Sequence, residues 1–92
     1  MSTVALLLER LRADGRFVQD HDSYRLEVAA GRPDSICFTL QEFGPQGAQI
    51  TLGEGFSLDE RLVFEQRRLP EPEIERIIRG VLMSQPELVG AN

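Results

Sequence analysis

The fold of this 92-residue chain is limited most by four short runs in which apolar and polar residues alternate, enclosed by two stretches with helical spacing. Alternation with a period of two is typical of β-strands that bury one face. Turn-forming residues separate the runs, and such short connections favour antiparallel neighbours. We therefore expect a four-stranded antiparallel meander, with strands in Tyr24 to Ala30, Ile36 to Gln41, Gln49 to Leu52 and Arg61 to Arg68.

The connections between these runs are predicted from glycine, proline and small polar residues. The expected turns are Gln19 to Ser23, Gly31 to Asp34 (including Pro33), Gly44 to Gly47, and Gly53 to Gly55. In the third, Pro45 at the second position and Gly47 at the fourth favour a type I turn. Phe56 and Leu58 then either begin the fourth strand or fill the bend before it.

An amphipathic helix is predicted on each side of the meander. The stripe of the first comprises Val4, Leu7, Leu8 and Leu11, with Ser2 or Thr3 as the cap, Gly15 as the stop and Phe17 folded back onto the last turn. The stripe of the second comprises Ile74, Ile77, Ile78, Val81 and Leu82. A sheet whose apolar face is covered by two such helices is a two-layer α+β sandwich. The predicted order is α-β-β-β-β-α, in a single domain over residues 1–92.

The composition excludes several kinds of function. The chain has one histidine, His21, one cysteine, Cys37, and neither lysine nor tryptophan. Its formal net charge is −5, and residues 20–60 carry eight acids against two arginines. Because nucleic acids and anionic membranes bind basic surfaces, we expect neither as a partner. The apolar run from Val4 to Leu8 is too short for a transmembrane helix, and its flanks are not those of a signal peptide, so we expect a cytoplasmic protein.

One cluster has the residue types of a reactive site. Asp20, His21 and Asp22 could hold a metal ion, or His21 could act as a base oriented by an aspartate. Adjacent residues point in different directions, however, and no second histidine completes a ligand set, so a solvated turn explains the same residues. Cys37 lies out of phase with its apolar neighbours, and no base in the sequence activates its thiol. We therefore expect no catalytic, metal or cofactor site.

The remaining features favour a small acidic protein–protein interaction module without catalytic activity. Leu6 lies off the first helical stripe, either because this helix lies in a groove or because Leu6 contacts a second copy in a homodimer, and Met83 lies off the second stripe, where it could mark the edge of an interface. Asp59 and Glu60 belong to the acidic segment that would attract a partner with a basic surface. The candidate interaction surface comprises Leu6, Asp20, His21, Asp22, Cys37, Asp59, Glu60 and Met83. In size, charge and element order the chain resembles the small acidic chaperones and immunity proteins of bacterial secretion and toxin systems. The resemblance implies a chaperone, adaptor or immunity role and assigns no residue.

Two alternatives belong to different functional classes. The first is a small-ligand or metal-binding protein, or an enzyme, with Asp20, His21 and Asp22 at the mouth of a pocket. The second is a structural subunit whose free sheet edge pairs with a larger assembly. The sheet offers a further binding surface if helices cover only one of its faces. That open polar surface would comprise Arg25, Glu27, Cys37, Thr39, Gln49 and Thr51.

Overall fold

A five-stranded antiparallel sheet forms the centre of the computed structural model, which describes residues 1–32 and 34–84. The elements are α1 Thr3–Asp14, β1 Phe17–His21, β2 Tyr24–Ala30, β3 Ile36–Phe43, β4 Gln49–Leu58, β5 Arg61–Arg67 and α2 Glu71–Met83. The strands lie in the sheet in chain order, β1-β2-β3-β4-β5. The α+β class and the meander are thus confirmed, whereas the predicted number of four strands is wrong. Pro33, in one predicted turn, lies outside the described residues.

The additional strand is β1, which occupies part of the segment predicted as the polar turn Gln19 to Ser23. β1 pairs with β2 from Phe17 opposite Val28 to His21 opposite Tyr24. The turn contains only Asp22 and Ser23, and Asp22 adopts a left-handed conformation with φ of 53°. Phe17, predicted to fold back onto the last turn of the helix, is therefore a buried residue of β1. Its ring nevertheless contacts α1, because the guanidinium of Arg10 lies 4.7 Å from the ring centre. Polar residues form this strand because their main chain pairs fully with β2.

The second correction concerns Gly53 to Gly55, which lie inside β4 and do not form a turn, so Phe56 and Leu58 also belong to β4. A β-carbon on Gly53 would lie 2.9 Å from Cδ1 of Ile74 in α2. A β-carbon on Gly55 would overlap the carbonyl oxygen of Val63, at an irregularity in the pairing of β4 with β5. Glycine is needed here for close approach of a helix and of a neighbouring backbone, and not for chain reversal.

The connection between β3 and β4 contains a tight turn over Pro45–Gly47, in which the N–H of Gly47 donates to the carbonyl oxygen of Gly44 at 3.2 Å. Gln46 has φ of 62° and Gly47 has φ of 80°. A type I turn has negative φ at both central positions, so the predicted turn type is wrong although the turn itself is present. The difference from a type I turn lies at Gln46, whose φ is positive where that turn requires a negative value.

Both helices pack on one face of the sheet, which we call the inner face. The side chains with the least exposure are Leu7, Leu26, Val28, Ile36, Leu40, Ile74, Ile78 and Val81. Burial of one such side chain stabilises the fold by about 1.5–3 kcal/mol. The predicted helical stripes are confirmed, since Val4 and Leu7 of α1 and Ile74 and Ile78 of α2 are buried.

Two polar side chains fix the helices to the rest of the structure. Gln19 is buried in β1, and its Nε2 donates to the carbonyl oxygens of Val81 at 2.7 Å and Ser84 at 3.1 Å, at the end of α2. Arg79 of α2 donates through Nε to Oγ1 of Thr3 at 3.0 Å and through a second nitrogen to the carbonyl oxygen of Met1. These bonds satisfy main-chain carbonyls at a helix end and tie the start of α1 to α2.

Among the helices described, none combines the length and apolar character that a crossing of the bilayer requires.

Candidate binding surface on the outer face of the sheet

The second face of the sheet, which we call the outer face, is covered by no helix among residues 1–32 and 34–84. Both described helices pack on the inner face, and the side chains that alternate with the buried ones remain accessible. Val18 is 52% exposed and Leu58 is 59% exposed. A strand face with exposed large apolar residues is a candidate surface for a partner.

Cross-strand pairing arranges the outer face in three rows. The central row is Val18, Glu27, Thr39, Glu54 and Gln66. A second row, toward the turn between β1 and β2, is Asp20, Arg25, Gln41 and Thr51. The third row, at the opposite end of the sheet, is Ala29, Cys37, Phe56 and Val63. The first two rows are mainly polar and the third is apolar.

The third row opens into a depression between the β2–β3 and β4–β5 turns, which we call the outer groove. Its floor is formed by Cys37, Phe56 and Leu58, and its rim by Arg32, Asp34, Asp59 and Glu60. Its volume is about 1130 Å³, and it is open to the surface. Closed pockets for small ligands have volumes of about 300–1,000 Å³ and surround most of the ligand. A wide, open groove suits side chains presented by another protein better than a small molecule.

The charge of the outer groove is negative because of its turns. Asp34 and Asp59 have φ of 61° and 58°, a left-handed conformation that aspartate tolerates better than most residues. None of the three rim carboxylates forms an ion pair with a described residue, and the only rim cation in the described chain is Arg32. The tight turns therefore hold uncompensated negative charge beside an apolar floor.

The opposite end of the outer face carries a compact ion pair. Nε and Nη2 of Arg25 donate to the two carboxylate oxygens of Asp20 at 2.8 and 3.0 Å, and the guanidinium lies 4.9 Å from the centre of the Phe43 ring. The hydrogen bonds from Arg25 hold the pKa of Asp20 below its usual value, against a smaller opposing effect of burial. The same bonds raise the pKa of Arg25. Both oxygens of Asp20 are thus engaged by a cation of the chain itself.

His21 and Asp22 lie beside this pair, with Nε2 of His21 3.5 Å from Oδ2 of Asp22. Both residues are exposed. Within residues 1–32 and 34–84, no group of three or more His, Cys, Asp or Glu is arranged to hold a metal ion. These residues form a solvated strand end whose one permanent ion pair is that of Arg25 with Asp20.

The structure separates the predicted site residues into three places. Cys37, Asp59 and Glu60 come together in the outer groove. Asp20, His21 and Asp22 lie at the other end of the sheet. On the helix side, Leu6 is half-buried and Met83 is 73% exposed.

Four residues of the floor and rim were not predicted as site residues: Arg32, Asp34, Phe56 and Leu58. Every second residue from Ile50 to Leu58 would lie on one face of a regular strand. The pairing of β3 with β4 shifts between Leu40 and Gln41, so that Leu52 is an extra residue in β4. Such a bulge reverses the alternation, which turns Phe56 and Leu58 outward. In the sequence, only the charge of Asp59 and Glu60 and the out-of-phase position of Cys37 pointed to residues of the outer groove.

Comparison of the chain with protein families, with curated proteins and with solved structures gave no match. Its surfaces are therefore interpreted from their geometry and charge.

Proposed function

We propose that this chain is a protein-binding module that uses no catalytic chemistry of its own, and that it binds a partner with a basic surface through the outer groove. The observation that carries the proposal is the apolar floor of Phe56 and Leu58 beside rim carboxylates without ion pairs. An apolar centre with a charged rim is the usual anatomy of a protein interface.

The floor would supply most of the affinity. Phe56 is half-buried and Leu58 is more than half exposed, so both have apolar surface left to bury. Apolar surface removed from water contributes about 25 cal/mol per Å², and a few central apolar residues usually dominate binding. The rim would instead raise the association rate with basic partners and disfavour acidic ones.

The outer face is large enough for a specific interface. Five strands spaced by about 4.8 Å, each about seven residues long, form a face of roughly 24 by 23 Å. A standard interface buries about 800 Å² of accessible surface on each partner. A sheet face with protruding side chains offers an area of this order.

Self-association stays a prediction, and the helix side is the surface that would support it. Two copies joined through their outer grooves would place one acidic rim against the other, because a twofold interface brings the same patch of both copies together. Met83 and Met1, 73% and 76% exposed, lie on the helix side, where Arg79 contacts Met1 one turn before Met83. A homodimer would therefore leave the outer groove free.

Affinity capture with matched baits tests the proposal. The bait variants are Phe56→Thr, which removes the apolar floor, and Asp34→Asn with Asp59→Asn, which removes charge but retains residues that tolerate left-handed backbone. Met83→Gln, on the helix side, is the control. We expect one partner to be retained by the parent and by Met83→Gln and lost with the other two.

The purified partner then has to show the expected chemistry. Its association rate should fall as salt is added, because screening weakens the attraction between a basic surface and the acidic rim. A partner captured equally by all baits, or lost only with Met83→Gln, would contradict binding at the outer groove. So would a partner whose contact surface is acidic.

A further inference from the structure

β5 is an edge strand, and one side of its main chain is paired with no described strand. The two-residue turn at Asp59 and Glu60 makes Leu58 and Arg61 the first pair of the β4–β5 ladder. The residues that flank a two-residue turn form a hydrogen-bonded pair, and hydrogen-bonded positions alternate along each antiparallel strand, so Arg61 and Val63 are the positions bonded to β4. The main-chain N–H and C=O groups of Leu62 and Phe64 therefore point away from β4, toward the free edge.

A groove of about 410 Å³ runs along this edge, between β5 and the first turns of α2. We call it the edge groove. Its β5 side is lined by Leu62, Val63 and Phe64, and its helix side by Glu71 and Glu75. Phe64 packs edge-on against Phe38 with 5.4 Å between the ring centres, which holds its ring in place. One wall of the edge groove is thus a strand edge with a fixed aromatic ring, and the other is a helix.

The helix wall carries two carboxylates that are not held in ion pairs by the described residues. Glu71 and Glu75 form no ion pair with a described residue, and Glu75 is half-buried. Arg79, one turn after Glu75, donates instead to Thr3 and Met1. Arg61 and Arg67 also line the edge groove, but neither forms an ion pair with these carboxylates, and the guanidinium of Arg67 donates to the carbonyl oxygen of Leu69 at 3.2 Å. A half-buried carboxylate gains from a cation brought by a partner.

The spacing of the two carboxylates matches an extended chain. Residues four apart on a helix are separated by about 6 Å along the axis, at 1.5 Å per residue. Alternate side chains of a strand are separated by about 6.6 Å, at 3.3 Å per residue. Two basic side chains at alternate positions of one strand would therefore lie opposite Glu71 and Glu75.

We propose that the edge groove binds an extended basic segment of a partner protein as a sixth strand. The segment pairs with the main-chain groups of Leu62 and Phe64, and arginine or lysine side chains two positions apart contact Glu71 and Glu75. Main-chain pairing gives affinity in this mode of binding, and the alternate side chains give specificity. The edge groove shares only Glu60 and the adjoining hairpin end with the outer groove, so this inference does not depend on the proposed function.

A synthetic peptide tests the inference on the intact, isotope-labelled protein. The probe is acetyl-TVRTRVT-amide, which carries arginine at two alternate positions. The controls are acetyl-TVETEVT-amide and the arginine peptide with alternate amides N-methylated, since N-methylation removes the donors needed for strand pairing. Amide chemical shifts and hydrogen exchange are followed by NMR. We expect only the arginine peptide to change the amide chemical shifts of Leu62 and Phe64 and to slow their hydrogen exchange.

Charge variants separate the two grooves. Glu71→Gln with Glu75→Gln should weaken the arginine peptide about 3- to 10-fold, as expected for two partly solvated ion pairs. Two control variants should leave the binding of the arginine peptide unchanged. They are Glu73→Gln, on a helix position outside the edge groove, and Phe56→Thr, in the outer groove. The proposal is overturned if about 1 mM arginine peptide leaves Leu62 and Phe64 unchanged, or if the glutamate peptide binds as well. Shifts confined to Cys37, Phe56 and Leu58 would also overturn it.

Discussion

The two glycines of β4 lead to opposite expectations for the same change, the addition of one methyl group. Neither glycine has a positive φ, so an alanine at either position meets no backbone strain of that kind. In Gly55→Ala, the β-carbon would overlap the Val63 carbonyl oxygen and lie 3.0 Å from Cα of Phe64, both backbone atoms of the adjacent strand. In Gly53→Ala, the β-carbon meets the end of the Ile74 side chain at 2.9 Å, and that end can rotate.

These contacts determine the magnitudes. Relief at Gly55 requires β4 and β5 to separate, which costs about 1–3 kcal/mol of overpacking strain and about 1 kcal/mol for each ladder hydrogen bond lost. We expect Gly55→Ala to lower the free energy of unfolding by about 2–5 kcal/mol, a large part of the roughly 5–14 kcal/mol available to a domain of this size. For Gly53→Ala, an off-rotamer cost of about 0.5–1.5 kcal/mol at Ile74 is offset by a less flexible unfolded chain, so the net change stays within about 1 kcal/mol.

Urea unfolding followed by far-ultraviolet circular dichroism measures these differences. With a slope of about 1 kcal/mol per molar urea, the Gly55→Ala midpoint should fall by about 2–5 M, and the Gly53→Ala midpoint by less than about 1 M. Gly80→Ala is the third variant, because a β-carbon there meets no atom within 4 Å, and it should gain about 1 kcal/mol of helix propensity. A Gly55→Ala midpoint equal to or above that of Gly53→Ala would refute the reasoning from backbone overlap.

Three further predictions concern the polar contacts. Gln19→Ala removes the donor to the Val81 carbonyl and should lower the free energy of unfolding by about 1–3 kcal/mol, with faster amide exchange in the last turn of α2; unchanged exchange there would contradict the role of Gln19. Arg79→Met should cost about 1 kcal/mol and speed amide exchange at the start of α1 only, so uniform acceleration along α1 would count against it. Asp20→Asn should lower the free energy of unfolding at neutral pH, because the pKa of Asp20 is lower in the folded chain than the 3.8 of the unfolded chain, so that ionised Asp20 is stabilising above pH 3.8. The urea midpoints of variant and parent should converge as the pH falls through the lower, folded-state pKa of Asp20. A difference that stays constant with pH would exclude the ion pair as its cause.

The sequence predicted the elements whose pattern is local. α1, α2, β2, β3 and β5 show their periods within consecutive residues, and burial follows those periods. β1 was missed because Gln19 is polar and yet faces inward, where its hydrogen bonds reach Val81, 62 positions away. β4 was shortened because Gly53 and Gly55 resemble a turn unless their contacts with Ile74 and Val63 are known.

The sequence also predicted only part of the candidate site, again because some of its features depend on contacts between distant residues. Asp59 and Glu60 were selected for their charge, although the turn that they form was not predicted, and Cys37 was correctly placed out of phase with the core. Phe56 and Leu58 were missed because the bulge that turns them outward depends on the register between β3 and β4. A register is a property of two strands together, and the pattern of either strand alone does not contain it.

The placement of α2 has a consequence for synthesis on the ribosome. Every strand pairs with its neighbour in the chain, so the meander can assemble hairpin by hairpin as it emerges. The cover of the inner face is completed by α2, whose Ile74 lies over Gly53, and α2 is made after all five strands. For that interval the nascent chain presents a paired sheet whose apolar side has only α1 as cover, which is the stage at which it is most open to aggregation and to capture by chaperones.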